Sequence, residues 1–199
     1  MKHKLNTIIS SEEIQKRIGE MANEIDKYYL QQEWYRQTEQ PVIVVGVLTG
    51  SLFFMADLLR KLTIRTKLDF IRVSTYPGTS TTAQSSKIVH YPVERLYNTH
   101  ILLIDDILDT GGTMHLIRSH LSAVFPASVK IAVLLRKPYK RSSSINGDFI
   151  GFDIQNKFVV GYGLNYGNKY RELPYIATLR LELDLNNKNI FEEEMQVRW

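Results

Sequence analysis

Apolar residues in this 199-residue chain follow two rhythms. The first is helical. Ile14, Ile18, Met21, Ile25 and Tyr28 recur three or four residues apart behind Ser10 and Glu13, whose spacing makes a capping box. Residues 11–31 therefore read as an amphipathic helix with a core-facing stripe. The second rhythm is a set of short, largely continuous apolar runs at 41–47, 100–105 and 129–135, and the mixed stretch 68–75 reads as another strand. Runs of this length, bounded by turn residues, predict strands buried on both faces, as in a parallel sheet. Helical spacing returns at 51–62 and 113–124. The order β-α-β-loop-β-α-β predicts an α/β fold, a mostly parallel doubly wound sheet flanked by helices. The loop at 76–87 combines Pro, Gly and a Ser/Thr run without period, and long loops in compact domains are commonly functional. Residues 145–185 read as short strands and turns. With the N-terminal segment they are expected to form a small hood lobe over a core at about 35–140, all within one domain spanning 1–199. The tail 186–199 has no clear period.

Composition narrows the class. A hydrophobic content of 44% with 23% charged residues describes an ordinary globular protein. No apolar run approaches the roughly 20 residues that span a bilayer, and no secretion signal is visible, so a cytoplasmic protein without membrane contact is expected. The absence of cysteine excludes disulfides and thiol nucleophiles. A net charge of +4 is mild, and the basic residues are scattered apart from Arg136, Lys137, Lys140 and Arg141. A nucleic-acid surface would need a denser stripe with aromatic platforms, so no nucleic-acid partner is expected. Binding of an anionic small molecule explains the balance as well. The five histidines form no cluster with metal-ligand spacing, and neither a Ser-His-Asp pattern nor a Walker phosphate loop is present.

The chemistry concentrates at Ile101–Met114, I-L-L-I-D-D-I-L-D-T-G-G-T-M. Four apolar residues run into Asp105 and Asp106, followed by Asp109, Thr110, Gly111, Gly112 and Thr113. The acids and glycines thus fall where a strand gives way to a helix, the usual ligand crevice of an open α/β sheet. Backbone N–H groups of a glycine turn at a helix N-terminus cradle phosphate. Carboxylates beside such a cradle make sense when the ligand also carries hydroxyls or Mg²⁺. A phosphorylated sugar supplies both.

Leu103–Thr113 resembles the phosphoribosyl-pyrophosphate (PRPP) motif of type I phosphoribosyltransferases. Val45–Ser51, Asp69–Tyr76, Leu134–Pro138 (L-L-R-K-P) and Phe158–Leu173 (F-V-V-G-Y-G-L-N-Y-G-N-K-Y-R-E-L) extend the likeness to the hypoxanthine-guanine phosphoribosyltransferase family, over about residues 40–180. The resemblance implies the type I phosphoribosyltransferase fold and transfer of phosphoribosyl from PRPP to a 6-oxopurine, with Mg²⁺ as cofactor. It implies that Asp109 is the general base near purine N7. Thr110, Gly111, Gly112 and Thr113 would wrap the 5′-phosphate, and Asp105 and Asp106 would hold the ribose hydroxyls with Mg²⁺ nearby. Leu48, Thr49, Gly50 and Arg171 match pyrophosphate contacts, and the first peptide of that loop can be cis in the family. Lys137 matches the residue that meets the purine 6-oxo group, Phe158 the stacking aromatic, and the Val159 backbone its edge partner. Ser74, Thr75 and Tyr76 match the start of a lid that closes over the reacting centre and excludes water. The family likeness also implies a homodimer or homotetramer.

Three positions depart from the family pattern. Thr49 stands where many relatives carry Lys, Asn165 where Asp is common, and Pro77 enters the lid just after Tyr76. An amide at 165 can ligate through oxygen but does not neutralise a second Mg²⁺, which leaves the metal count open. Two other readings remain at this level: a xanthine-preferring enzyme, and a non-catalytic regulator that binds PRPP or nucleotide on the same fold.

Overall fold

The computed structural model describes residues 2–76, 85–92, 95–139 and 145–182. A six-stranded sheet carries the fold in the order β4-β3-β2-β5-β6-β7. Its strands are β2 (Val42–Leu48), β3 (Thr66–Tyr76), β4 (Ser85–His90), β5 (His100–Leu108), β6 (Ser128–Arg136) and β7 (Phe149–Asp153). All neighbours run parallel except β4, which pairs antiparallel with the distal part of β3. The apolar runs form the central strands because the pleat deals their residues to two cores. Val42, Val44, Leu102, Ile104, Ala132 and Leu134 face one core, and Ile43, Val45, Ile101, Leu103, Ile131 and Val133 the other. Helices α1 (Ser11–Leu30), α2 (Glu33–Gln37) and α3 (Leu52–Leu59) contribute to the first core, and α4 (Gly112–Ser122) to the second. The predicted doubly wound α/β sheet is therefore present. No described helix is long and apolar enough to cross a membrane.

Helix α1 starts at the predicted capping box: Glu13 N–H donates to Ser10 Oγ at 3.2 Å, and Ser10 N–H donates to Glu13 Oε2 at 2.7 Å. Polar contacts dock it against β7 and against the segment that leads into β3. Arg17 donates to the carbonyls of Gly151 and Ile150 at 3.0 and 2.8 Å. Buried Asp26 accepts from the backbone N–H of Thr63 and Ile64 and from the Thr63 hydroxyl, fixing the approach to β3.

A separate three-stranded sheet, in the order β1-β9-β8, joins β1 (Lys2–Ile9), β9 (Ile176–Glu182) and β8 (Val159–Val160). It unites the N-terminal segment with the region after 158, and the two together are termed the hood. Three boundaries differ from the sequence expectation. Phe149–Asp153 joins the edge of the large sheet rather than the hood, parallel to β6 and clamped by Arg136, whose Nε and NH2 donate to the two oxygens of Asp153 at 2.5 and 2.7 Å. Ser85–Lys87, expected in the long loop, begins β4 and pairs with β3 through Tyr76↔Ser85, Thr75↔Ser86 and Ser74↔Lys87. Strand β5 does not stop at Asp105 but runs on to Leu108. The lid candidates Ser74, Thr75 and Tyr76 thus stand on a two-stranded ribbon. Residues 77–84 and the tail 183–199 lie outside the described residues, Pro77 among them.

Candidate active site

A cavity of about 250 Å³ opens at the C-terminal ends of β2 and β5. It is lined by Val47 and Leu48 at the end of β2, by Gly50 in the loop that follows, by Val73 on β3, and by the continuous stretch Asp105–Met114. Seven of the residues matched to the PRPP motif, Asp105, Asp106, Asp109, Thr110, Gly111, Gly112 and Thr113, therefore meet in one place. Gly111 turns the chain into α4 with φ +86° and serves as its N-cap without a side-chain cap bond. That backbone conformation suits glycine. It leaves first-turn amides of α4, which have no intrahelical partner, at the cavity wall.

Asp105 is buried and accepts the Asp106 N–H at 2.9 Å. Burial, and then the neighbouring Asp106 carboxylate, push the Asp105 carboxyl well above the usual range. Burial raises Asp106 too, while its bonds to Asp105 and to backbone amides and the positive charge of Arg171 pull the other way. Two adjacent, desolvated carboxyls are costly to ionise alone, and sugar hydroxyls or a divalent cation would relieve them. Among the described residues no group of three or more His, Cys, Asp or Glu side chains converges. Two adjacent carboxylates are a donor set that suits Mg²⁺, a cation that retains water and ligand-phosphate oxygens in its shell.

Asp109 and Lys137, distant in sequence, are neighbours in space. Lys137 Nζ donates to Asp109 Oδ2 at 3.2 Å, and the lysine is only 4% exposed. Its position follows from β6: the strand ends at Arg136, and the Lys137 N–H then bonds to Leu108 O at 3.0 Å, which anchors it beside the end of β5.

The loop after β2 and the hood meet through bare backbone. The Leu48–Thr49 peptide is cis. A Cβ on Gly50 would lie 1.8 Å from Asp106 Oδ2, and one on Gly163 would lie 2.0 Å from the carbonyl oxygen of Gly50. The Gly163 position, against backbone at φ +103°, is open only to glycine, whereas a side chain at Gly50 would have to displace the Asp106 carboxylate. Arg171 NH1 donates to Gly163 O, Gly163 N–H donates to Arg171 O at 3.0 Å, and Arg171 NH2 donates to Asn165 Oδ1 at 2.6 Å. Arg171 and Asn165 are therefore joined to each other, next to Gly50 and Asp106.

Other expected residues stand apart from the cavity wall. Thr49 is exposed at the turn. Phe158 is half-buried and packs edge-on against Tyr166, with ring centroids 5.7 Å apart, and its carbonyl accepts from Leu179 N–H at 3.2 Å. Val159 is buried in β8 opposite Thr178. The sequence reading missed Gly163, although the pair of glycines flanking Tyr162 was a visible signal of an unusual turn. Ser51, which closes the matched pyrophosphate loop, is fully buried with its hydroxyl donating to Val47 O at 2.6 Å.

This fold and strand-end site define a class, and comparison with known proteins agrees. Residues 8–167 match the family described as the phosphoribosyl transferase domain. The chain is 38% identical over 177 residues to the hypoxanthine phosphoribosyltransferase of Buchnera aphidicola subsp. Schizaphis graminum, covering 89% of this chain and 97% of that one. It is 37% identical over 181 residues to the Escherichia coli K12 hypoxanthine phosphoribosyltransferase, covering 91% and 98%. Among solved structures, the Staphylococcus aureus hypoxanthine phosphoribosyltransferase superposes with a TM-score of 0.78 at 34% identity, over 88% of this chain and 91% of that one. A variant of the Trypanosoma cruzi enzyme, solved as its ternary substrates complex, gives 0.80 at 34% identity over 87% and 94%. The chain belongs to the hypoxanthine-guanine phosphoribosyltransferase family.

Proposed function

We propose that this protein is a purine-salvage transferase that moves the phosphoribosyl group of PRPP onto hypoxanthine or guanine, releasing pyrophosphate and the nucleoside 5′-monophosphate. The observation that carries this reading is the Asp109–Lys137 pair beside a phosphate-type helix start. On a 6-oxopurine the N7 and O6 atoms are adjacent on one edge. Two groups 3.2 Å apart, one a base and one a cation, match that edge. Lys137 donates to O6, which favours hypoxanthine and guanine over adenine, whose 6-amino group offers hydrogens instead. Asp109 takes the proton from N7 as N9 bonds to C1′ and the C1′–O bond to pyrophosphate breaks.

Thr110, Gly111, Gly112 and Thr113 hold the 5′-phosphate in this reading, and Asp105 and Asp106 hold the ribose hydroxyls. Mg²⁺ bound near Asp105 and Asp106 would offset charge on the pyrophosphate. Leu48, Thr49 and Gly50 meet the pyrophosphate through backbone groups, with Arg171 as its cationic contact. Phe158 stacks on the base, which requires the ring to face the incoming purine from beside Tyr166, and the Val159 backbone meets its edge. Ser74, Thr75 and Tyr76 bring the lid ribbon over the centre. Asn165, bonded to Arg171, serves as an orienter of that cation rather than as a second metal ligand. A homodimer or homotetramer is part of the proposal, supported by Leu52 and Phe53, which are each 41% exposed directly after the pyrophosphate loop. A cytoplasmic setting agrees with the absence of cysteine, since nothing in the chain calls for an oxidising compartment.

The test is pyrophosphate release by the purified protein with PRPP, Mg²⁺ and, separately, hypoxanthine, guanine, xanthine and adenine. Release with hypoxanthine or guanine is expected. Release with xanthine or adenine alone would overturn the assignment of the base, and PRPP binding without release from any base would overturn the enzyme.

A further inference from the structure

Away from the cavity, three elements converge on one carboxylate. Asp57 Oδ2, on α3, accepts from the Tyr162 hydroxyl at 2.5 Å and from Gln15 Nε2 of α1 at 2.5 Å, with Gln15 Nε2 also 3.4 Å from the Tyr162 oxygen. Tyr162 is buried, and burial followed by the Asp57 carboxylate pushes its phenol above the usual range, so it remains a donor. Its backbone is unusual. Gly161, Tyr162 and Gly163 have φ of +98°, +50° and +103°, a run of left-handed residues that local preference does not hold in place. Gly163 is the residue that lies against the Gly50 carbonyl, and it is held to Arg171 by one backbone–backbone bond and one bond from the guanidinium to its carbonyl.

These contacts close a ring. From Gly50 the chain runs through Ser51 into α3 and reaches Asp57. Asp57 holds Tyr162, and Gly163 returns against Gly50, which itself abuts Asp106. We propose that Asp57, through Tyr162, is a positioning residue that seats Gly163 and Arg171 against the pyrophosphate loop and so sets the affinity for PRPP. The inference rests on the reading of Gly50 and Arg171 as pyrophosphate contacts. Neither Asp57 nor Tyr162 lines the cavity, whereas Asp109 of the pair that meets the purine does. The effect is therefore selective for one substrate, whereas a brace that only stabilised the hood would affect both or neither.

The experiment measures both KM values for Asp57→Ala, Tyr162→Phe, their double variant and Asp57→Asn in the full chain, with hypoxanthine and PRPP as substrates. Asp57→Ala and Tyr162→Phe are expected to raise the PRPP KM about tenfold while hypoxanthine KM stays within about twofold. The double variant is expected to be no worse than either single one, because both break the same link. Asp57→Asn keeps an acceptor oxygen and is expected to recover most of the PRPP affinity. Equal rises in both KM values, a lowered melting temperature with both KM values unchanged, or an Asp57→Asn variant as impaired as Asp57→Ala would each overturn the proposal. Should Asp57→Ala fail to fold, Tyr162→Phe, which removes a single oxygen, carries the same test. Wild-type protein assayed alongside separates the two levels: no turnover there overturns the proposed function, whereas normal turnover with unselective variants overturns only the role of Asp57.

Discussion

The β5–α4 junction and the hood supply the same site in different ways. At the junction, Asp105–Met114 reach the cavity as one uninterrupted stretch, carried on a strand whose Ile101–Ile104 are fully buried and whose neighbours are paired on both sides. In the hood, Arg171 sits on a turn and is seated by a bond from its guanidinium to the Gly163 carbonyl, by a side-chain bond to Asn165 and by Gly163 against Gly50. The first region inherits its geometry from the central sheet. The second depends on a few contacts between segments distant in sequence. Substitution of the base Asp109 at the junction should therefore remove chemistry and leave PRPP binding and folding in place, while substitutions around the hood contact should loosen binding.

The largest expected effect falls at the junction. Asp109→Asn keeps the shape and removes the base, so kcat should drop about 10²–10⁴-fold. Equilibrium binding of PRPP, which draws on residues 110–113, should persist, and a stopped-time pyrophosphate assay beside a PRPP titration checks both halves. Next comes the contact between the regions. Gly163→Ala would drive a Cβ to 2.0 Å from Gly50 O at φ +103° and displace the pyrophosphate loop. A loss of about 10²-fold in kcat/KM for PRPP is expected, since a small misplacement of a positioned substrate has that cost. If the variant matched wild type, the hood would not be seated by this contact. The smallest effect on catalysis should come from Asp26→Ala. This carboxylate is as buried as Asp105 but is spent wholly on Thr63 and Ile64. Its loss leaves buried N–H donors without an acceptor and should cost about 1–3 kcal/mol in a urea melt, with kcat unchanged.

The same contrast explains what could be read from the sequence. Strands β2, β5 and β6 announce themselves because burial on both faces demands continuous apolar runs, and α1 because its cap and stripe are local. The acid-glycine stretch was legible for the same reason: its residues are adjacent in the chain. Strand β1 was not legible. Lys2–Ile9 mixes charge with apolar residues, and its partner β9 begins at Ile176. Strand β4 has one buried apolar residue, Ile88, and exists through pairing with β3. The Asp57–Tyr162–Gln15 link and the Gly50–Gly163 approach join residues separated by roughly the length of the chain's core, and no local pattern encodes such a meeting. Lys137 could be matched by family likeness, but its 3.2 Å contact with Asp109 follows only from the parallel pairing of β5 with β6.

The central claim is that Asp109 and Lys137 together read the N7 and O6 edge of the base. Its most direct test is the discrimination between hypoxanthine and adenine in wild type and in Lys137→Met, measured as kcat/KM or, for a base that is not turned over, as its inhibition constant against hypoxanthine. The account predicts that the gap between the two bases shrinks by about 10–100-fold, the worth of a charged hydrogen bond, chiefly through weaker hypoxanthine recognition. An unchanged gap would contradict it, because the lysine would then not be meeting the 6-position of the purine.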